Sequence, residues 1–293
     1  MQNSTRFSNF AEKLYSWMRK NLLILPLLLL LLASCNNYTK VLKSTDVDYK
    51  YSAAKQYYAL GEFNRAAMLL QTVITSLKGT EYGQESLFLY GLSNYYAENY
   101  ETATAIFRKF YQTYPKGLYT EEARYYAGLS LMAEIPEPKL DQTPTYEAIT
   151  EFQNFIEVFP YSSRYDDAMR HIYSMQDILV EKEYLSAKLY YELGDYFGNC
   201  TNGGSNYQAC VITAENAIKD YPYTELREKF AILILKAKFE LAEKSIEEKK
   251  AERFHNAIDE YYGFTNEYPE SSFLKEANKL FEKAKKYVSI TTE

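Results

Sequence analysis

An aromatic residue followed by proline ends four apolar segments of helical periodicity in this 293-residue chain. The four pairs are Tyr114-Pro115, Phe159-Pro160, Tyr221-Pro222 and Tyr268-Pro269, and they recur every 45 to 62 residues. Proline lacks a backbone N–H and cannot continue a helix, and a hydroxyl residue that follows each pair is expected to cap the next helix. This recurring pair predicts repeated helical hairpins with insertions between them.

The register of small and aromatic residues matches the tetratricopeptide repeat of about 34 residues, in which two antiparallel helices cross at small side chains. Repeats begin at Val47, Gln84 and Glu121 and near Val180, and a weaker fifth repeat includes Ala237. We therefore predict an all-α chain, a tetratricopeptide-like α-solenoid of about five helical hairpins with a C-terminal capping helix. The small residues expected at the crossings of the first two hairpins (residues 47–77 and 81–113) are Ala54, Ala66, Gly91 and Ala103.

Several later segments have a definite expected extent. The proline-rich stretch Glu134–Pro144 is expected to be a stiff loop, and Ser163–Leu193, without Gly or Pro, is expected to be one helix of roughly 30 residues. A further helix is expected from Thr224 to about Lys250, and its partner from Phe254 to Tyr268. Ser271–Val288 is expected to be the capping helix, with a polar outer face.

Residues 1–35 are predicted to be a lipoprotein signal peptide. The basic stretch Met18-Arg19-Lys20 precedes the apolar run Leu22–Leu32, and Leu32-Ala33-Ser34-Cys35 resembles a lipobox, whose cysteine receives diacylglycerol. Cys35 is the expected lipidation site, with an uncleaved anchor helix as the alternative, and Met18 is a candidate for the true translation start. Removal of the signal lowers the formal net charge from −6 to −9.

The rest of the chain is expected to comprise a tether (36–46), repeats 1–3 (47–162), and the long helix with repeats 4–5 and the capping helix (163–290). The Asn36-Asn37 pair after the cysteine resembles an outer-membrane sorting signal, because Asp at this position would favour retention in the inner membrane. The expected location is therefore the outer membrane, lipid-anchored and facing the periplasm. The acidic net charge makes nucleic acid a poor candidate partner.

The first helices of repeats 1–3 carry aromatic and apolar residues and one lysine at positions that line the concave face of tetratricopeptide repeats. One interpretation is that these side chains only pack neighbouring hairpins together. The interpretation we favour for the set is a groove for an extended peptide with an aromatic end. The candidate peptide-groove residues are Tyr51, Lys55, Tyr58, Phe88, Leu92, Tyr95, Tyr96 and Tyr125.

Cys200 and Cys210 are the two cysteines that follow the lipidation site. In an oxidising periplasm they could form a disulfide; the alternative is a buried Cys210 at a helix crossing and a free Cys200. A metal site is not expected, since no histidine has a suitable spacing to the cysteines. No nucleophile, phosphate-loop or dinucleotide motif occurs, so we expect neither an enzyme nor a cofactor beyond the lipid.

Three segments carry a resemblance to the BamD family, the lipoproteins of the outer-membrane β-barrel assembly (BAM) machinery: Leu179–Glu183, Ala187–Tyr196 and Ala217–Thr224. They are similar to the family pattern L-A-x-x-E, A-x-Y-Y, G-x-Y and Y-P-x-T, and the likeness covers about residues 36–290. The chain departs from the family in the inserted loop Gly198–Ser205. It also has Thr213 where some members carry an arginine that helps hold the barrel subunit.

The resemblance implies a non-enzymatic scaffold. Its C-terminal half would dock a BamA-like barrel subunit, other lipoproteins of the machinery would be further partners, and its N-terminal groove would receive the C-termini of unfolded outer-membrane proteins. Two other classes remain open. One is a periplasmic adaptor lipoprotein that coordinates cell-envelope or cell-wall machinery. The other is a nutrient-capture lipoprotein, against which the single tryptophan, Trp17, argues because it lies in the expected signal peptide.

Overall fold

The structure is a computed structural model that describes residues 37–196 and 205–291. Every regular element in these two ranges is an α-helix. The helices are α1 (37–43), α2 (Val47–Ala59), α3 (Phe63–Leu77), α4 (Gly83–Tyr96), α5 (Tyr100–Thr113), α6 (Thr120–Ala133), α7 (Thr143–Val158), α8 (Tyr165–Leu193), α9 (Asn206–Asp220), α10 (Arg227–Glu243), α11 (Glu247–Glu267) and α12 (Leu274–Thr291).

The helices form two compact units, the first ending at Ala133 and the second beginning at Glu134. Within each unit, helices that follow one another in the chain pack side by side as hairpins. The predicted all-α, tetratricopeptide-like architecture is thereby confirmed. Helix α6 packs on α5 in the first unit, and α7 packs on α8 in the second.

Helix α1 lies in the segment expected to be a tether, and it packs on the first hairpin. Val41 is buried in the same apolar cluster as Leu69 and Leu70. The Tyr38 ring meets the Tyr57 ring edge-on, with 5.5 Å between centroids. The described part of this segment is therefore a docked helix.

Small residues lie where the helices of the first unit cross. Ala54, Ala66 and Ala103 are fully buried, and Gly91 on α4 is buried as well. A Cβ atom at Gly91 would lie 2.5 Å from Cε1 of Phe107 on α5. Helices α4 and α5 are thus so close at this crossing that only glycine fits without a shift.

The four aromatic residues that precede proline share one backbone conformation. Tyr114, Phe159, Tyr221 and Tyr268 have φ between −124° and −127° and ψ between 63° and 68°. Each donates its backbone N–H to the carbonyl four residues earlier. The helix therefore keeps its last hydrogen bond while the chain turns away, and the next residue can be a proline, which has no donor to satisfy.

Three of the hydroxyl residues after these prolines stabilise the turn that precedes the next helix. Ser162, Thr224 and Ser271 each accept a hydrogen bond from the backbone N–H two residues later, at 2.9–3.1 Å. The N-cap positions of α8 and α10 are Arg164 and Leu226, which carry no hydroxyl. The expectation of hydroxyl N-caps is wrong for these two helices, because their N-cap positions lie two residues after the Ser or Thr.

Helix α10 is the central helix of the second unit. It packs against α8, α9, α11 and α12, and it buries nine side chains, among them Phe230, Leu235 and Phe239. Helix α8 is continuous over 29 residues, which confirms the expected long helix.

The expected helix from Thr224 to Lys250 is wrong at both ends. Helix α10 ends at Glu243, where the Ser245 hydroxyl bonds to the Leu241 carbonyl and accepts a hydrogen bond from Arg253. Glu247 and Glu248 then begin α11, because carboxylates are favourable in the first turn of a helix. Its partner therefore starts seven residues before Phe254, and the capping helix α12 starts at Leu274 and not at Ser271.

Gly91→Ala is expected to destabilise the protein by about 1–2 kcal/mol, because overpacking against Phe107 outweighs the gain of up to about 1 kcal/mol in helix propensity. Gly263→Ala on α11 is the matched control, since nothing lies within 4 Å of its Cβ position. That change should stabilise the protein by about 0.5–1 kcal/mol. Urea unfolding followed by circular dichroism measures both, and shifts of the same sign would contradict the close crossing.

Candidate peptide-binding surface

Helices α2, α4 and α6 of the first unit carry the eight residues expected to line a peptide groove. The structure divides these residues by their depth. Lys55 and Tyr96 are exposed; Tyr58, Leu92 and Tyr95 are half-buried; Tyr51, Phe88 and Tyr125 are buried.

Tyr96 lies at the centre of an accessible aromatic cluster. Its ring stacks on Phe63 with 5.0 Å between centroids and faces Tyr58 edge-on at 6.2 Å. Its hydroxyl lies 3.3 Å from the hydroxyl of Tyr126. Since the Tyr96 side chain remains 43% exposed, part of this cluster is open to a ligand.

The cluster continues through Tyr95. The Tyr95 ring meets Tyr126 at 5.1 Å, Tyr96 at 5.3 Å and Tyr100 at 5.7 Å, each time edge-on. Such edge-to-face contacts are favourable because the positive ring edge meets the negative ring face. Burial raises the pKa of the Tyr95 hydroxyl, which keeps it neutral. The cluster therefore joins α2, α4 and α6 into one aromatic surface, with Leu92 packed beside it.

Phe88 supports this surface from within the unit. Its ring stacks on Tyr119 at 4.8 Å and lies 5.9 Å from Phe107 and 5.8 Å from Phe110. It is only 8% exposed, so its contribution is to hold α4 against α5 and α6. Tyr51 and Tyr125 are buried to a similar depth on α2 and α6.

Lys55 is paired within the protein. Its Nζ lies 2.6 Å from Oε1 of Glu85 and 5.5 Å from the centroid of the Tyr51 ring. The hydrogen bond from Lys55 lowers the pKa of the Glu85 carboxyl, and burial together with this carboxylate raises the pKa of Tyr51. A ligand carboxylate would have to share Lys55 with Glu85 or displace Glu85 from it.

Sequence analysis missed Glu85 and Tyr126 as members of this surface. The repeat length could have identified Glu85. A period of about 34 residues places residue 89 beside Lys55, and Glu85 lies one helical turn before residue 89. Tyr126 follows the predicted Tyr125 directly but points to the accessible cluster, as its contacts with Tyr95 and Tyr96 show.

Of the three cysteines, Cys35 and Cys200 lie outside the described residues. Cys210 on α9 is fully buried in an apolar cluster with Val180, Tyr207 and Phe230. Burial raises the pKa of its thiol to about 12, so the reactive thiolate is scarce at neutral pH. The Cys200–Cys210 disulfide and the lipid on Cys35 stay predictions.

Residues 37–196 and 205–291 include no helix with the length and apolar composition that crossing a bilayer requires. Their fold defines a helical-repeat protein with an accessible aromatic surface on its first unit. The chain belongs to the YfiO family of outer membrane lipoproteins, whose model matches residues 44–250.

Three relatives carry the name outer membrane protein assembly factor BamD. The chain is 23% identical to the Pasteurella multocida protein over 150 residues, which are 48% of this chain and 58% of that protein. It is 23% identical to the Haemophilus influenzae protein over 170 residues, 55% of this chain and 65% of that one. It is 22% identical to the Caulobacter vibrioides protein over 156 residues, 53% of this chain and 51% of that one.

The chain thus spans between half and two thirds of the length of these relatives. The resemblance to the BamD family that the sequence suggests is confirmed, as is membership of the outer membrane lipoproteins.

The Lys55–Glu85 pair is expected to contribute about 0.5 kcal/mol at pH 7, because both side chains are more than a third exposed and solvent screens the pair. The folded pKa of Glu85 is lowered, so this contribution is present above the unfolded pKa and lost as the pH falls through the folded pKa. A double-mutant cycle with Lys55→Met and Glu85→Gln, measured by urea unfolding, should show the coupling at pH 7 and a progressively smaller coupling as the pH is lowered to about 3. A coupling that does not decrease in acid would contradict the ion pair.

Proposed function

We propose that this chain is a lipid-anchored scaffold of the outer-membrane β-barrel assembly machinery that faces the periplasm and catalyses no reaction. The first unit would receive the C-terminal segment of unfolded outer-membrane proteins. The second unit would dock a BamA-like barrel subunit, and other lipoproteins of the machinery would join them. Family membership and the shared name of the three relatives support the role in assembly.

The observation that carries the peptide site is the accessible aromatic cluster of Tyr58, Phe63 and Tyr96. An aromatic pair contributes about 0.5–1.5 kcal/mol beyond the area that it buries, so an aromatic terminal residue has a clear preference for this surface. Tyr58 follows Lys55 by three residues, and residues at this spacing are neighbours on a helix surface. A terminal carboxylate and its aromatic side chain therefore find complementary groups on the same part of α2.

Lys55 can exchange partners at little cost. Its pair with Glu85 is exposed to solvent, and exposed pairs contribute at most about 1 kcal/mol. The exchange would leave Glu85 facing water, where its charge is well solvated. Lys55 would then orient a bound C-terminus, with most of the binding free energy coming from the aromatic contacts.

The expected lipid would hold the first unit close to the membrane. Only Asn36 separates Cys35 from α1, and α1 is docked on the first hairpin through Val41. One extended residue spans at most about 3.6 Å, so a lipid on Cys35 would be attached close to the start of α1. Two or three acyl chains anchor a protein firmly, while one chain alone binds marginally.

The docking surface for a barrel subunit is proposed on the second unit, where the BamD-like segments form the C-terminal part of α8 and the turn between α9 and α10. Thr213, at the position where some members carry an arginine, lies half-buried on α9. Docking in this protein would therefore use other residues of the second unit.

A peptide that ends in phenylalanine with a free carboxylate is expected to bind about 3- to 10-fold more tightly than the same peptide without that residue. Tyr96→Leu should weaken its binding by a similar factor, because the stacking surface is lost. Tyr262→Leu, which changes an exposed tyrosine on α11, is the control and should have no effect. Fluorescence anisotropy measures the affinities, and equal affinity for the two peptides would exclude this ligand.

The assembly role is tested separately by purifying the lipoprotein from its own membranes and identifying the co-purifying proteins by mass spectrometry. A barrel protein with periplasmic repeat domains, recovered in near-stoichiometric amount, is the expected result. Recovery of cell-wall enzymes in its place would move the function to the adaptor class while leaving the fold and the aromatic surface unchanged.

A further inference from the structure

A cleft of about 210 Å³ lies in the second unit between α8 and the turn that joins α9 to α10. Asp220, the last residue of α9, and residues 221–224 of the turn line one side of it. Helix α8 contributes Tyr173, Gln176, Asp177 and Val180, whose spacing of three, four and seven residues places them on one helix face. The cleft is therefore built by two rigid elements of one unit.

The walls of the cleft are aromatic. Tyr173 is 56% exposed and Tyr223 is 98% exposed, while Val180 is buried at the base. Tyr221 is half-buried, and burial, reinforced by the nearby Tyr146, raises the pKa of its hydroxyl to about 12. Pro222 limits the freedom of the turn that carries Tyr223. Less conformational entropy is then lost when a ligand packs against that ring.

The cleft is also acidic. Asp177 and Asp220 both line it, and in the described part of the chain neither forms an ion pair. Other carboxylates of the same unit are paired: Asp195 lies 3.2 Å from Lys244, and Glu267 lies 2.8 Å from Arg227. No lysine or arginine is among the lining residues, so the cleft presents negative charge with no internal partner.

We propose that this cleft binds an arginine side chain of a partner protein. A planar guanidinium group stacks on tyrosine rings and donates several N–H bonds to carboxylates at the same time. Lysine, with a compact and strongly hydrated charge, matches a flat aromatic wall less well. The volume suits one long side chain. This site belongs to the second unit and adjoins the turn proposed above for docking a barrel subunit. It is argued from the cleft's own residues and rests neither on that docking nor on the peptide surface of the first unit.

The chain offers a matched control for the aromatic wall. Tyr161 also follows a helix-ending proline, and it is 99% exposed. It does not line the cleft. Tyr161→Ala and Tyr223→Ala therefore remove the same side chain from the same kind of turn, but only Tyr223→Ala changes the proposed site.

The probes are three capped tripeptides, Ala-Arg-Ala, Ala-Lys-Ala and Ala-citrulline-Ala, and citrulline is the neutral analogue of arginine. Saturation-transfer NMR with the detergent-solubilised lipoprotein measures their binding. The arginine peptide should bind roughly tenfold more tightly than the citrulline peptide, and more tightly than the lysine peptide. Asp177→Asn should reduce its affinity by about tenfold and Tyr223→Ala by about threefold, with Tyr161→Ala unchanged.

Equal binding of the arginine and citrulline peptides would overturn the proposal, as would equal losses from Tyr161→Ala and Tyr223→Ala. Circular dichroism checks that each variant is folded. The phenylalanine-terminated peptide is measured with the same variants and should bind them as it binds the original protein. A variant that loses binding of the arginine peptide but keeps binding of the phenylalanine-terminated peptide therefore distinguishes this site from the surface in the first unit.

Discussion

The close crossing of paired helices at small side chains is the constraint on which the rest of this structure depends. At Gly91 the two helices of a hairpin are so near that an added Cβ would lie 2.5 Å from the Phe107 ring. Such contact holds a pair of helices at one distance and angle, since interiors are packed as densely as crystals. This fixed geometry places the outward side chains of α2, α4 and α6 in adjacent rows.

The abundance of tyrosine follows from this arrangement. The chain contains 31 tyrosines, and several of them form a continuous series of ring contacts from Tyr58 through Tyr96 and Tyr95 to Tyr126. A tyrosine can bury its ring against a neighbouring helix while its hydroxyl stays in water. The residues that join neighbouring hairpins can therefore also form an accessible surface, so packing and ligand binding are not exclusive alternatives here.

Helix ends marked by proline could be predicted from sequence, because the missing backbone donor of proline ends a helix independently of the tertiary contacts around it. Helices α5, α7, α9 and α11 each end one residue before the aromatic–proline pair. The break after Glu243 has no Gly or Pro and could not be predicted in this way. It depends on Ser245 meeting Arg253, a contact that exists only once α10 and α11 have folded against each other.

The candidate surface also combines features that local sequence predicts with features that depend on tertiary contacts. The repeat period correctly places Phe88 and Tyr96 on one helix. How deeply each side chain is buried depends on the residues of the next hairpin that pack against it. Phe88 meets Tyr119 and is covered, whereas Tyr96 remains partly open. Likewise, the sequence contains Lys55 and Glu85 but does not state that they pair across two helices.

Charge pairing distinguishes the two surfaces. Lys55 already has Glu85, so a ligand carboxylate there exchanges one exposed partner for another and gains little beyond orientation. Asp177 and Asp220 have no ion-pair partner in the described part of the chain, so a cation that enters their cleft forms pairs that did not exist before. The peptide binding proposed for the first unit would therefore be governed by aromatic area and depend weakly on salt. The arginine binding proposed for the second unit would be governed by charge and weaken as salt screens the two carboxylates.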